Sequence, residues 1–229
     1  MNERLLLMNC VLALLTMCCC AFASGGEKVD SGYIMLPQPQ MDTKVTVEQA
    51  IKQRRSVRTY ASEPISMDQV SQLLWAAQGI TDPATGHRTA PSAMATYPLA
   101  VYLVAANVKD LAAGVYEYIP EGHKLKLIKQ GDQRANIGSQ PQMINAPALF
   151  VYIADYKVTG EKFGADKAKE FACIEVGHSA QNVLLEEVAL GLIGVGMAGF
   201  DQAKIAATLG LAKNQEPLYI VSAGKKLYH

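Results

Sequence analysis

Three arginines and several hydroxyl side chains lie together at residues 54–60, where the sequence reads Arg-Arg-Ser-Val-Arg-Thr-Tyr. A guanidinium presents planar, paired N–H donors, so clustered arginines beside hydroxyl groups suit the binding of a phosphate. Lys225 and Lys226 form a second cationic pair, after an apolar run near the end of the chain. The alternative is a solvated charged surface, which also carries runs of like charge.

Two further segments are rich in small residues, which allow a flat ligand or another backbone to approach closely. Residues 88–93 read Arg-Thr-Ala-Pro-Ser-Ala, and Pro91 fixes one backbone angle there, which favours a rigid loop. Residues 191–199 contain four glycines among apolar residues, a composition typical of close backbone approach. An ordinary turn in the first segment and tight helix–strand packing in the second are the alternatives.

No set of residues in the sequence has the spacing of a metal site, and none forms a convincing acid–base pair. His178 lies within an apolar helical pattern, so we expect a hydrogen-bonded core residue, and His87 is expected in a surface loop. Cys173 is expected to be buried on an apolar helix face, with no neighbouring cation to activate its thiol. The formal net charge is zero, which does not favour nucleic acid or an acidic membrane surface as a partner.

The first 23 residues have the pattern of a secretory signal peptide. A short polar start precedes an apolar run over residues 5–20, and Ala-Phe-Ala at 21–23 is a cleavage signal. We therefore expect an exported, periplasmic protein. A membrane anchor is disfavoured because the apolar run is marginal for a span. A lipoprotein is the second interpretation, anchored through Cys18, Cys19 or Cys20, although the small residues of a lipobox are missing before them.

The remainder of the chain divides into an arm and one folded domain. Residues 24–45 are polar and contain two prolines, so they are expected to form an N-terminal arm over the surface. Residues 46–229 are of a suitable length for a single domain. Only Cys173 remains after signal cleavage, which excludes an internal disulfide.

Helix starts can be predicted from the capping residues. Thr46 and Ser66 are each followed three residues later by Gln, a capping box that predicts a helix at both places. Asp166 is expected to cap a long helix that is buried over much of its length and ends near residue 190. Asp201 is expected to cap a short helix that ends at Gly210.

Apolar runs and alternating patterns predict the strands, at residues 99–104, 115–119, 124–129, 147–153 and 218–223. The second and third of these form a hairpin about a Pro-Glu-Gly-His turn. Strands that interleave with helices indicate an α/β or α+β layered domain. The hairpin and the single long helix argue against a regular doubly wound sheet. No G-x-G-x-x-G follows the first strand, which disfavours a dinucleotide-binding fold.

Taken in order, these segments resemble the FMN-dependent nitroreductase superfamily, and more closely its SagB/ThcOx-type dehydrogenase branch. The resemblance covers residues 45–226, and its specificity lies in the order and spacing of the set. The matched features are RRSVRTY at 54–60, GIT at 79–81, RTAPSA at 88–93, YPL at 97–99, APAL at 146–149, GHSAQNVLLE at 177–186, ALGL at 189–192 and AGKK at 223–226.

The resemblance implies an α+β fold with three α/β/α layers. Its central sheet is expected to be mostly antiparallel, with a long core helix at the interface of a homodimer that carries two FMN sites. The positions that match FMN-contacting segments of the family are Arg54, Arg55, Ser56, Arg58, Pro91, Ser92, Ala93, Met197, Ala198, Gly199, Lys225 and Lys226. The arginine segment matches contacts to the phosphate, ribityl chain and ring edge, and the lysines match cations near the phosphate. Residues 91–93 match a loop on the flavin ring supplied by the other subunit, and residues 197–199 match the ring's other edge.

Two positions depart from the family pattern. Ala95 stands near the place where nitroreductases carry Asn, so hydrogen bonding at the ring edge is expected to differ. Ala198 stands where many relatives carry Glu, and a backbone contact to flavin N5 survives that change whereas a side-chain role does not. These departures leave the substrate class open.

Together with the signal-peptide pattern, the resemblance implies an exported FMN oxidoreductase that transfers hydride through flavin N5 and needs no catalytic side chain. NAD(P)H is the expected donor, and a nitroaromatic or a quinone is the expected small conjugated acceptor. A dehydrogenase of the SagB/ThcOx type, acting on a peptide or heterocycle, is one alternative. A non-catalytic flavin- or ligand-binding protein of the cell envelope is another.

Overall fold

The computed structural model describes residues 32–227, and the predicted signal peptide at 1–23 lies outside this range. Nine strands form two sheets. They are β1 (Tyr33–Met35), β2 (Ile80–Asp82), β3 (His87–Arg88), β4 (Leu99–Ala105), β5 (Gly114–Ile119), β6 (Lys124–Gln130), β7 (Ala148–Asp155), β8 (Leu192–Met197) and β9 (Gln215–Lys225). The main sheet has seven strands in the order β1-β6-β5-β4-β7-β9-β8, and every neighbouring pair is antiparallel.

Helices cover both faces of this sheet. They are α1 (Val47–Gln53), α2 (Met67–Gln78), α3 (Arg134–Ile137), α4 (Pro141–Ile144), α5 (Lys157–Phe163), α6 (Ala165–Ala189) and α7 (Gln202–Leu209). One apolar core joins α2 and α6 to the sheet, and a second joins α3, α4 and α7 to the opposite face. The predicted α+β fold with three α/β/α layers is therefore confirmed.

The central strands are buried on both faces, which explains their continuous apolar sequences. Six of the seven residues of β4 are buried, and seven of the eight residues of β7. By contrast, β6 carries Lys124, Lys126 and Lys129 and is largely accessible. Strands buried between two helical layers have no solvent face on which polar residues could alternate.

The helix starts follow the sequence prediction at three of four places. Both capping boxes form, at Thr46 for α1 and Ser66 for α2, and the Asp201 side chain accepts a hydrogen bond from the N–H of Lys204. The prediction for α6 was wrong, because Gly164 occupies the cap position and Asp166 lies in the first turn. A carboxylate in the first turn still interacts favourably with the helix dipole.

The described part of the N-terminal arm, residues 32–45, is joined to the domain by backbone and side-chain hydrogen bonds. Its strand β1 pairs with β6. The N–H of Gln40 donates to Oε1 of Gln72 at 2.8 Å, and Nε2 of Gln72 donates to the carbonyl of Gln40 at 3.0 Å. The carbonyl of Pro37 accepts a hydrogen bond from the Ser71 hydroxyl at 2.5 Å. These contacts hold the arm against β6 and α2.

The long helix α6 has 25 residues and at 1.5 Å per residue is about 37 Å long. Two sequence predictions on it were wrong, because Cys173 and His178 are exposed and not part of the core. They share an exposed face with Ile174, which is 51% accessible. Within residues 32–227 no helix combines the length and apolarity needed to cross a membrane.

At Gly194 the backbone of β8 lies close to both α6 and β9. A Cβ atom placed there would collide with the carbonyl oxygen of Ser222 and would lie 2.5 and 2.6 Å from the carboxyl oxygens of Glu187. We expect Gly194→Ala to lower the free energy of unfolding by about 2 kcal/mol or more, since a packed core cannot yield without strain.

Gly160 in α5 is the matched control for this substitution. A Cβ there meets only the Ala168 side chain at 3.9 Å, an ordinary contact. Gly160→Ala is expected to raise stability by up to about 1 kcal/mol, because alanine favours a helix. Urea titration followed by circular dichroism measures both variants. Equal stability of Gly194→Ala and the wild type would contradict the packing described here.

Candidate functional site

A cavity of about 370 Å³ lies where the arginine segment meets the start of β8. Arg54, Arg55 and Lys226 line it together with Glu187 and the backbone of Gly191–Gly194. Cations from opposite ends of the sequence thus face one space. A cavity lined by three cations is suited to an anion, above all to a phosphoryl group.

Backbone hydrogen bonds bring these cations together. At Arg54 the chain leaves α1 with non-helical angles, and Ser56 then forms a parallel bridge with Gly194. The N–H of Val57 donates to the carbonyl of Gly194 at 3.0 Å, and the N–H of Ala61 donates to the carbonyl of Lys225 at 3.0 Å. The segment 54–61 is therefore held along the start of β8 and the end of β9, where Lys226 follows.

The predicted phosphate contacts are not all equivalent in the structure. Arg54 is half-buried, whereas Arg55 is exposed and its Nη1 donates to the carbonyls of Lys52 and Arg54 at 2.9 and 2.7 Å. Ser56 and Arg58 are exposed and do not line the cavity, and neither does Lys225, the last residue of β9. Arg54 and Lys226 are thus the cations with side chains free to reach a ligand in the cavity.

Glu187 is a cavity residue that sequence reasoning missed. It is 2% accessible, and its Oε1 has no hydrogen-bond partner among the described residues. Burial raises the pKa of this carboxyl well above its ordinary value, and the positive charge of Arg54 opposes the rise only in part. The sequence signal was available, because two adjacent glutamates, Glu186 and Glu187, interrupt the apolar pattern of α6.

The loop at residues 91–97 has an unusual backbone. Met94, Ala95 and Tyr97 have φ values of 50°, 52° and 45°, a left-handed region that side chains disfavour. The Ser92 hydroxyl accepts a hydrogen bond from the N–H of Tyr97 at 2.8 Å, which closes the turn. Strained backbone of this kind must be maintained by its surroundings, and it is often found at ligand sites.

Glu175 is a second buried carboxyl on α6, beside the Ser92 loop. It is 3% accessible and accepts a hydrogen bond of 3.5 Å from Nε2 of Gln78, whose own Oε1 accepts a bond of 3.2 Å from Nη1 of Arg88. The Arg88 guanidinium lies 4.7 Å from the centre of the Tyr97 ring. Burial raises the pKa of Glu175 to about 7, and hydrogen bonds from Ser92 and Gln78 moderate the rise.

Within one chain the predicted site residues do not form a single site. Ser92 neighbours Glu175, whereas Arg54 neighbours Glu187, and these two glutamates are twelve positions and about 18 Å apart along α6. Met197 ends β8, and Ala198 and Gly199 follow it, where the Gly199 carbonyl accepts a hydrogen bond from Nε2 of Gln140. Residues 91–93 and the cationic cavity therefore lie beside two different parts of α6, and we call them the two partial sites of the candidate.

The structure also contains a second cavity, on the side of α6 that faces the arm. This cavity, of about 400 Å³, lies between the arm, α1, α2 and α6 and is lined by Trp75, Thr89 and Asn182. The sequence did not indicate it. Among residues 32–227, no three His, Cys, Asp or Glu side chains are grouped so that they could hold a metal ion.

Comparison with known proteins gives consistent matches along most of the chain. The family model described as "Nitroreductase family" matches residues 51–225. A protein of Methanocaldococcus jannaschii named "Putative nitroreductase MJ1384" is 35% identical over 202 residues, which is 86% of this chain and 98% of that protein. A crystal structure of a nitroreductase, described as putative, from Ralstonia eutropha has 27% identity and a TM-score of 0.78, with 86% of this chain and 91% of that chain covered.

A further relative is named for a different role. The microcin B17-processing protein McbC of Escherichia coli is 27% identical over 156 residues. These residues are 64% of this chain and 57% of McbC. The resemblance to the nitroreductase superfamily and to its dehydrogenase branch, drawn from the ordered motifs, is confirmed by these matches.

The pKa of Glu175 predicts how stability depends on pH. Folding raises this pKa from its ordinary value of 4.5 to about 7, so between these values the folded state binds more protons than the unfolded state. Stability therefore falls as pH rises from about 4.5 to 7, by about 3 kcal/mol from this group. We expect Glu175→Gln to lack this component of the slope in urea titrations at pH 5, 6, 7 and 8.

The control is Glu161→Gln on α5, which removes an exposed carboxyl. This variant is expected to follow the wild-type slope. A wild-type slope retained in Glu175→Gln would show that another group is responsible.

Proposed function

This chain belongs to the nitroreductase family, and from that premise we propose that it is an exported, FMN-dependent oxidoreductase. In this proposal NAD(P)H is the donor, and a small conjugated molecule, such as a nitroaromatic or a quinone, is the acceptor. The observation that carries the proposal is the convergence of Arg54, Arg55 and Lys226 on one cavity. Export rests on the N-terminal sequence pattern alone.

The residues of the cationic cavity fit the phosphate end of FMN. A phosphate monoester carries about two negative charges at neutral pH, and fixed cations compensate them. The unpartnered oxygen of Glu187 leaves hydrogen-bonding capacity for a ligand. When bound, FMN supplies two-electron chemistry at its N5, so the chain's own task is to hold the cofactor and orient the substrate.

The separation of the two partial sites supports a homodimer. We propose that two copies pair along the exposed face of α6, so that the partner subunit's Ser92 approaches this chain's cationic cavity. This face carries Ile174, and beside it a groove of about 340 Å³ is lined by Cys173, Gly177 and Tyr219. An exposed apolar side chain and an open groove on the longest helix are features of a surface that another chain covers.

A dehydrogenase that acts on a peptide or heterocycle is the second candidate. The match to McbC, whose name describes microcin processing, favours it. The two candidates share the flavin site and differ in the acceptor and in the direction of hydride transfer. A screen of oxidants and reductants with the purified flavoprotein separates them, because a reductase accepts hydride from a nicotinamide donor whereas a dehydrogenase accepts it from the substrate.

The cofactor proposal is tested by flavin titration of the protein stripped of its chromophore. We expect about one FMN per subunit, and Arg54→Ala is expected to weaken binding by about 2 kcal/mol because a charge-assisted hydrogen bond is lost. Arg134→Ala is the control, since Arg134 pairs with Asp132 away from the cavity. FMN binding that Arg54→Ala leaves unchanged would refute the assignment of the phosphate site.

The dimer proposal is tested on the exposed face of α6. Ile174→Glu places a charge on that face, and we expect it to yield a folded monomer with weakened FMN binding, because a buried unpaired charge is costly. Val158→Glu on α5, where the side chain is 48% accessible, is the control and should stay dimeric. Sedimentation velocity at low micromolar concentration gives the assembly state. A monomeric wild type with full FMN content would overturn the proposal.

A further inference from the structure

Glu187 lies at the wall of the cationic cavity without a partner for its carboxyl group. Its oxygens rest against the backbone of β8 at Gly194, where the missing side chain leaves room for them. The residue is almost wholly buried, and no hydrogen bond satisfies its Oε1 within the described chain. Buried polar groups in proteins are almost always hydrogen-bonded, so an unpartnered carboxyl at a cavity wall has a hydrogen-bonding position available for a ligand.

The surroundings of Glu187 determine its protonation state. The titratable groups around it are Arg54, Arg55, Tyr60, Tyr152 and Lys226. No ion pair within 4.0 Å joins Glu187 to a cation among the described residues, and burial raises its pKa well above the ordinary value. A neutral carboxyl has one O–H donor, whereas an ionised carboxylate only accepts. While it keeps its proton, this side chain therefore offers a donor to the cavity.

We propose that Glu187 donates a hydrogen bond to a phosphoryl oxygen of the ligand that Arg54 and Lys226 hold in this cavity. The inference rests on the proposed FMN binding and adds a neutral donor to the cations. An ionised carboxylate beside a phosphate would repel it, so the donor exists only while Glu187 keeps its proton. The cavity thus recognises a phosphorylated flavin, and recognition weakens when the carboxyl ionises.

The test compares FMN with riboflavin, which lacks the phosphate. Dissociation constants are measured by fluorescence quenching at pH 6 and pH 9 for the wild type, Glu187→Ala, Glu187→Gln and Glu186→Ala. We expect Glu187→Ala to weaken FMN binding by roughly tenfold to a hundredfold at pH 6, the usual cost of a lost hydrogen bond to a charged group, and to leave riboflavin unchanged. Glu187→Gln retains an N–H donor and should bind FMN within about threefold of the wild type.

Two controls make the result specific. Glu186 is the adjacent glutamate but lines the second cavity, so Glu186→Ala should bind FMN as the wild type does. Between pH 6 and pH 9 the wild type should lose FMN affinity relative to Glu187→Gln, because only the wild type can ionise at this position. This comparison does not require Glu187→Ala to fold.

Several outcomes would overturn the inference. They are unchanged FMN affinity in folded Glu187→Ala, an equal loss for riboflavin, or the same pH dependence in the wild type and Glu187→Gln. Inorganic phosphate separates this inference from the proposed function. If the wild type binds no FMN but phosphate raises its melting temperature and fails to do so in Glu187→Ala, the FMN proposal falls and the phosphate contact stands. If neither ligand binds, both fall.

Discussion

The backbone pairing of residues 54–61 with the ends of β8 and β9 is the constraint on which the rest of the site depends. Two hydrogen bonds, from Val57 to Gly194 and from Ala61 to Lys225, fix this segment after α1. They bring an early arginine and a late lysine to one cavity. This pairing also requires glycine at position 194, because Glu187 and the neighbouring strand β9 occupy the space that a side chain would need. Both the packing of the core and the proposed ligand cavity thus depend on Gly194.

Helix α6 has one face in the apolar core and one face at the surface. One face packs into the core with α2 and the sheet, and the other face is open. Each of its two buried glutamates, Glu175 and Glu187, lies beside one of the partial sites. A helix that connects two partial sites in one chain can complete both when two copies meet in opposite directions. The proposed assembly and the proposed cofactor site are therefore two consequences of the same helix.

The sequence predicted those elements whose signals are local. Capping boxes marked α1 and α2, and two-sided burial gave β4 and β7 recognisable apolar runs. Strand β8 was missed because a glycine-rich sequence is typical of a loop. In the structure, the absence of a side chain at Gly196 makes room for the Tyr219 ring. Cys173 and His178 were misplaced because periodicity shows that a helix has a buried face but not where that face ends.

The site was predictable only in part, for a related reason. The clustered arginines indicated a phosphate site, yet the sequence could not show that Ser56 and Arg58 do not line the cavity. The buried glutamates were missed because charged residues in helices are usually solvated. Their significance depends on which strand lies beneath them. That information comes from long-range pairing and is not contained in any local pattern.

The two outermost long strands of the main sheet, β6 and β8, are each covered in part by a short segment of the same chain. The three-residue strand β1 pairs with the start of β6, and residues 56–57 lie along β8. An unpaired strand edge is a template on which another molecule can add its own strand, and such addition leads to open-ended aggregation. In this protein, segments of the same chain occupy part of both strand edges. In the proposed dimer, the copies associate through the helical surface instead, where a contact between two molecules is closed and finite.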